Sequence, residues 1–525
     1  MKELVYPRLL LPAVETMADR ESVVCGDHRA TLGEHTDRAL RLATALGKEL
    51  GVGAEDRFAV MAINSHRYME LWHAAFLGGG VINPLNLRLA APELAYILAD
   101  SGTEVVFTDG MFAPLVQAAI AASEHELAVR QIVTMGDIGD LQIDGAIDYE
   151  ELLAGSSPDV PAEPDEDSIV VLMYTGGTTG LPKGVLHDQR AQILNTYHAA
   201  FYIDFDEDMV WLHQTPMFHA ASTSGILSLP PTGGKSIVMP MFDPGAVPDL
   251  IAAEGVTGTV MVPTMVGMML GTDNYSPEKL ASMELLVYGA SPMPPATLEK
   301  LMTDMPNLGF INGYGMTEAA STATFLLPED HVLGSPRLRA AGRPVYGTSI
   351  SIRDDEGEQV AQGETGEVWL RSGALMREYW NKPEATAEVF EGGWYHTGDA
   401  GYVDEDGYLF LVDRVKDMIV TGGENVYSVE VEAAMGTHPD VAQVAVIGIP
   451  HDVWVEAVHA IVVPMPGVEP DEESILEHTR AQIAGYKVPK TMEFRSEPLP
   501  LSGAMKVLKR ELRAPFWEGR DSGVS

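Results

Sequence analysis

The stretch Tyr174-Thr175-Gly176-Gly177-Thr178-Thr179-Gly180-Leu181-Pro182-Lys183-Gly184-Val185 gathers groups suited to holding an anion. Its four glycines let backbone N–H groups close on a phosphate, its three threonines offer hydroxyls, and Lys183 adds a positive charge. No Gly-Lys followed by Ser or Thr ends it, so it is not a Walker A loop. A Gly/Thr-rich hairpin turn is the plainer reading. Turns seldom collect this many hydroxyls and a lysine, and phosphate binding is the expectation. Pro216-Met217-Phe218-His219-Ala220-Ala221-Ser222 sets His219 among small and apolar residues. For a histidine taken alone, a packed and hydrogen-bonded role competes evenly with a chemical one. None of the 15 histidines forms a pair at metal spacing such as HExxH, so a histidine metal centre is not expected. The 26 methionines, Met261, Met265, Met268 and Met269 among them, suit an adaptable pocket, although filling a core is their commoner use.

These residues need rigid elements to place them. Leu32 to Leu50 spaces apolar side chains as a helix does. Phe58–Ile63 and Glu104–Thr108 read as buried strands, with helical patterns at Tyr68–Phe76 and after Thr108. Such alternation predicts α/β layers with largely parallel strands. Ser156–Asp167, rich in Pro, Asp and Glu, reads as an exposed connector opening onto the strand that begins at Ile169. After about residue 340 short strands with Gly turns take over, at Ser349–Arg353, Glu367–Arg371 and Tyr408–Val412. From Val429 onward the pattern is helix, strand, strand, helix, a small α+β domain of roughly one hundred residues.

Composition bounds the partners. The 525 residues carry 34 Lys plus Arg against 76 Asp plus Glu, a net charge of −42, with 46% hydrophobic residues. A chain of this length and apolarity folds around more than one core. The acidic balance repels phosphate backbones, so nucleic acid is not an expected partner. Cys25 is the only cysteine, which excludes an intrachain disulfide and suits a cytoplasmic location. Neither a signal peptide at the start nor a peroxisomal or prenylation address at the end is recognised, and no apolar run is long enough for an integral membrane segment.

Further motifs follow the phosphate-type stretch in order. They are Gly289-Ala290-Ser291-Pro292, Asn312-Gly313-Tyr314-Gly315-Met316-Thr317-Glu318 and Trp394-Tyr395-His396-Thr397-Gly398-Asp399. Next come Asp413-Arg414-Val415-Lys416-Asp417, Gly422-Gly423-Glu424-Asn425 and Leu501-Ser502-Gly503-Ala504-Met505-Lys506. Together the series resembles that of the adenylate-forming superfamily of acyl-CoA synthetases, luciferases and peptide-synthetase adenylation domains, with fatty-acid–CoA ligases nearest. The resemblance runs from about Tyr6 to Arg513. It implies a large N-terminal domain of layered α/β subdomains plus a β-rich subdomain, here 1–414, and a small mobile α+β domain, 415–525.

The resemblance also implies roles. Thr175, Gly176, Gly177, Thr178, Thr179, Gly180 and Lys183 would hold the phosphates of ATP. Gly289, Ala290 and Ser291 would line adenine and the acyl group, and Tyr314, within Asn312-Gly313-Tyr314-Gly315, would stack on adenine. Thr317 would meet the α-phosphate, and Glu318 with Thr178 would hold Mg²⁺, a cation that takes few carboxylates beside phosphate. Without its motif, Glu318 would read as a carboxylate at a helix N-terminus. Asp399 and Arg414 would grip the ribose, Lys416 would be the hinge, and Gly422, Gly423 and Glu424 would line the pantetheine tunnel. Lys506 would swing in over the attacking carboxylate as a mobile point charge. His219 would gate the carboxylate, with Ala220, Ser224 and Gly225 leaving room for a chain. Lys509 and Arg510 would stand beside the site, or with Arg513 form a solvated basic turn. Gly176 replaces a usual serine and Met505 a usual glycine, and neither change removes a charged group.

The activity so implied is an ATP-dependent acyl-CoA synthetase acting on a medium- to long-chain fatty acid. Alternatives are an aryl or other acid–CoA ligase, an enzyme loading a separate carrier protein, and a non-catalytic acyl or nucleotide binder. The absence of a carrier domain after Arg513 favours CoA. Expected partners are the acid, ATP, Mg²⁺ and CoA, while peripheral membrane contact and a homodimer stay open.

Overall fold

Arg57–Met61 is apolar at four successive positions, all buried, as a strand covered on both faces requires. In the computed structural model, which describes residues 4–136, 139, 141, 143–175, 181–354, 356–414, 417–421, 424–451, 454–503 and 506–518, this strand lies inside an eight-stranded sheet. It is flanked in parallel by Val81–Pro84 and Val105–Thr108. The helix Leu32–Lys48 starts at a reciprocal cap: Glu34 N–H donates to Thr31 Oγ1 and Thr31 N–H to Glu34 Oε2. Its Leu32, Ala39, Leu42 and Leu46 face pack into the core around Trp72 and Phe76. Next to Val81–Pro84 runs Ile169–Thr175, which pairs antiparallel with Lys183–Asp188. The phosphate-type stretch therefore joins two strands of a hairpin, and residues 176–180 at its tip lie outside the described residues.

A nine-stranded sheet carries the parallel strands Val210–His213, Lys235–Val238, Gly258–Met261, Leu285–Gly289 and Gly309–Tyr314. Two candidate loops leave the C-terminal ends of its neighbouring strands Leu285–Gly289 and Gly309–Tyr314, where ligands bind open α/β sheets. Met261, Met265 and Met269 are core residues here, packed with Leu286 and Tyr288. A β-rich unit follows, with Ser349–Arg353, Gly366–Arg371, Trp394–Val403 and Leu409–Arg414 paired antiparallel. The smaller α+β domain has its own sheet, including Val441–His451 and Val455–Pro464, around Val431, Val446, Val458 and Ile475. Its expected helix–strand–strand–helix order is present at Ser428–Met435 through Glu472–Arg480. The strand Thr491–Phe494 and the helix Lys509–Trp517 add to it; the first is mostly exposed and the second carries Pro515, so neither has a clear sequence signature. Among the described residues no helix is long and apolar enough to cross a membrane.

Three fully buried histidines are expected to make this core sensitive to acid. Burial pushes His73 and His187 down to about 4 and His213 to about 3, from an ordinary 6.5. The unfolded chain therefore takes up these protons first as pH falls. Their stabilising contribution is present above pH 6.5 and is lost from there down toward pH 4 for His73 and His187 and toward pH 3 for His213, each steepening the loss by up to about 1.4 kcal/mol per pH unit. Melting temperature is accordingly expected to drop sharply between pH 6.5 and 5 in a thermal-shift series. A flat profile there would contradict their neutral burial.

Candidate active site

The hairpin Ile169–Asp188 ends with Thr175 opposite Lys183, Thr175 Oγ1 donating to the Lys183 carbonyl at 3.5 Å. Lys183 Nζ stands 4.8 Å from the centroid of the Tyr379 ring. Tyr379 sits in a two-residue strand opposite Val185 and donates its phenol to Glu318 Oε1 at 2.9 Å. Burial, then the Glu318 charge, pushes that phenol well above its ordinary range, so it stays a donor. Phosphate-side lysine and candidate metal carboxylate thus share one aromatic spacer.

Glu318 lies in the 3₁₀ turn Thr317–Ala319, too short for a helix dipole to account for its carboxylate. The turn is held twice: Met376 N–H donates to the Glu318 carbonyl, and His187 Nε2 donates to the Thr317 carbonyl, both at 2.7 Å. Among the described residues nothing donates to Glu318 Oε2. A carboxylate with one oxygen anchored and one open fits a cation that keeps waters and phosphate oxygens as its other ligands.

Gly289 and Gly313 are partners on adjacent parallel strands, and a Cβ on Gly289 would overlap the Gly313 carbonyl. The next residue, Ala290, has φ +66°, a left-handed conformation that a non-glycine residue adopts at a cost and often at functional sites. Ser291 follows it, half-buried. Asn312 Nδ2 donates to the Ala340 carbonyl at 3.1 Å, fixing the strand from which Tyr314 projects. Gly315 has no room for a Cβ beside the Ser321 carbonyl. Tyr314 donates to Asp399 Oδ2 at 2.7 Å, across 85 residues of sequence. Asp399 N–H in turn donates to Thr397 Oγ1, and Gly398 N–H to Glu367 Oε1, both at 3.0 Å. Arg414 is the strand partner of Asp399; its side chain lies outside the described atoms, as does that of Glu424.

From the other side comes Lys506. Its N–H donates to Ser502 Oγ at 3.1 Å and its carbonyl accepts from Ser502 N–H at 2.7 Å, closing a tight hairpin. His219 caps the helix Ala220–Thr232, Nδ1 accepting from Ala221 N–H at 3.2 Å. Burial, with Lys506 as the next contributor, lowers the His219 imidazole to about 4. The ring is therefore neutral near pH 7, and with Nδ1 accepting, its proton sits on Nε2. The segment before it is pinned by Asn64, whose Oδ1 accepts from Met217 N–H at 2.8 Å.

The structure thus gathers Lys183 and Glu318 through Tyr379, and Tyr314 with Asp399. Gly176, Gly177, Thr178, Thr179, Gly180, Lys416, Gly422 and Gly423 lie outside the described residues. Some expectations change. Ser224 accepts from buried Asn195, Ala220 is in the core, and a Cβ on Gly225 would crowd Trp211 and His213, so this helix face is packed rather than open to a chain. Lys509 pairs with Glu432 at 2.7 Å and Arg513 with Glu456 at 2.5 Å inside the small domain, so they are not residues of a solvated turn. His28, His66 and Glu70 form the one three-residue group among the described residues with metal-like spacing. Both Glu70 oxygens are taken by Arg38, and Tyr149 donates to one of them, which makes it a buried ion-pair centre. Tyr379 and His187 are the site residues that sequence reading missed. His187 is marked as the one polar side chain among the four buried positions of the strand Lys183–Asp188, and nothing periodic marks Tyr379.

Comparison with known proteins places the chain in a family. The sequence profile of the AMP-binding enzymes matches residues 12–380, and that of the AMP-binding enzyme C-terminal domain matches 430–506. A fatty acid–[acyl-carrier-protein] ligase, ScoC, of Streptomyces coeruleorubidus is 36% identical over 98% of both chains. A feruloyl-CoA synthase of an Amycolatopsis species is 38% identical over 94% of this chain and 95% of its own. The solved structure of a Mycobacterium tuberculosis fatty acyl CoA synthetase aligns over 99% of both chains at 33% identity, with a TM-score of 0.77.

Proposed function

Because the chain belongs to the AMP-binding enzyme family, as an AMP-forming acid–thiol ligase of the acyl- and aryl-CoA ligase group that uses ATP and CoA, we propose that it activates a medium- to long-chain fatty acid as an acyl-AMP and passes it to CoA. The observation that carries this reading is the pair of long-range bonds Tyr314–Asp399 and Tyr379–Glu318, which bring the motif residues together beside Lys183.

In the first step the acid carboxylate attacks the α-phosphorus of ATP, forming the mixed anhydride and releasing pyrophosphate. Two anions meet there, and Lys506 is the mobile charge that offsets their repulsion. His219, neutral at pH 7, offers Nε2–H as a donor without adding a second charge. Asp399 accepts from the ribose hydroxyls, with Tyr314 orienting one of its oxygens. Glu318 would hold Mg²⁺ together with Thr178, and the cation would supply charge neutralisation on the phosphates. In the second step the CoA thiol attacks the acyl carbonyl and AMP leaves. Residues 415–525, turning about Lys416, withdraw Lys506 and bring the Gly422-Gly423 segment to the pantetheine.

The fatty-acid assignment is supported by the names of the Streptomyces and Mycobacterium relatives. An aryl acid is the second reading, favoured by the likeness to a feruloyl-CoA synthase. Dodecanoate, hexadecanoate, ferulate and indoleacetate, each assayed for AMP release with CoA or with a phosphopantetheinylated acyl carrier protein, decide between them. The fatty acids with CoA are expected to give the highest kcat/KM. A tenfold preference for an aryl acid, or for the carrier, would overturn that part of the reading.

A further inference from the structure

Asn86-Leu87-Arg88 follows the strand Val81–Pro84 of the large domain, which runs parallel beside Ile169–Thr175. Asn86 Oδ1 accepts the Arg88 N–H at 3.0 Å, which folds the segment into a turn. From that turn Arg88 reaches across the domains, and its Nη1 donates to the carbonyl of Leu501 at 2.5 Å, a contact spanning 413 residues of sequence. Two residues on, Gly503 lies so close to Asn86 that an added Cβ would overlap its Oδ1. No left-handed backbone explains a glycine here, because Gly503 is absent from the positive-φ positions. Its smallness serves the close approach of the Asn86 side chain.

Leu501 and Gly503 belong to the hairpin that carries Lys506. Leu501 bridges to Val507, Leu508 N–H donates to the Pro500 carbonyl at 2.9 Å, and the Ser502–Lys506 pair closes the tip. The base of the hairpin is rooted in the small domain, where Leu499 is buried and its N–H donates to Gln443 Oε1 at 2.9 Å. Lys506 is thus held at one end by its own domain and at the other by Arg88 and Asn86 of the large one. We propose that Arg88 and Asn86 are positioning residues that clamp the Lys506 hairpin over the site during adenylate formation and have no part in thioester formation. The inference rests on the assignment of Lys506 to the first half-reaction.

A clamp that exists only in the docked arrangement shifts the population of that arrangement and nothing else. Losing a hydrogen bond from a charged donor lowers the docking equilibrium constant on the order of tenfold. Arg88 is exposed, so its replacement does not disturb a core. The test uses the full-length enzyme with whichever of dodecanoate, hexadecanoate, ferulate and indoleacetate the wild type adenylates fastest. Two rates are measured: acid-dependent exchange of pyrophosphate into ATP, and acyl-CoA formation from the synthetic acyl-AMP plus CoA. Arg88→Ala is expected to slow the exchange about tenfold and to leave the second rate within twofold of wild type, with Arg88→Lys falling between. Equal losses in both rates, a loss confined to the second, or no loss at all would each overturn the clamp. Lys506→Ala, run beside it, separates the two ideas: if that variant keeps full exchange, the lysine assignment itself fails, whatever Arg88→Ala does.

Discussion

Lys506→Ala is expected to lower acid-dependent pyrophosphate exchange by about 10²–10³-fold, the usual effect of removing one preorganised group that stabilises transition-state charge. Thioester formation from preformed acyl-AMP is expected to survive, because no second anion approaches the α-phosphorus in that step. The reason lies in position. Lys506 is delivered by a closed hairpin to the neighbourhood of His219, near enough to help push that imidazole to about 4. Taking the charge away raises the His219 pKa, so the variant is also expected to show a histidine titrating closer to neutrality in an NMR pH series. A His219 titration that stays where it was would place Lys506 away from the site.

The second large effect is at Glu318. Glu318→Gln preserves shape and still accepts from Tyr379 through its amide oxygen, yet removes the charge beside the phosphates. Activity is expected to fall about a hundredfold at fixed Mg²⁺ and to recover in part as Mg²⁺ is raised. If the variant loses activity with no change in its Mg²⁺ dependence, Glu318 is not the metal carboxylate.

Much of this site is legible in sequence because its parts sit where elements end. Gly289 closes a buried apolar strand, Tyr314 closes the neighbouring strand Gly309–Tyr314, and Asp399 lies in the strand Trp394–Val403. Strand runs and glycines are local signals, so the α/β layering and the loops that follow it can be read from short windows. What cannot be read is which loops meet. Tyr314 and Asp399 bond across 85 residues and Arg88 and Leu501 across 413, and only tertiary packing makes those pairs. Tyr379 is hidden for another reason: a two-residue strand has no periodicity. The bases after Lys506 mislead because sequence shows a cluster of charge but not its partners. With a net charge of −42, carboxylates are abundant, and Glu432 and Glu456 pair with Lys509 and Arg513.

Activation of a carboxylate by ATP is tested most directly by carboxylate-dependent exchange of labelled pyrophosphate into ATP by the wild-type chain, with Mg²⁺ and without CoA. Exchange that requires one of the acids above, and stops when the acid is withheld, is the expected result. A protein that binds ATP yet exchanges no pyrophosphate with any of those acids would contradict it.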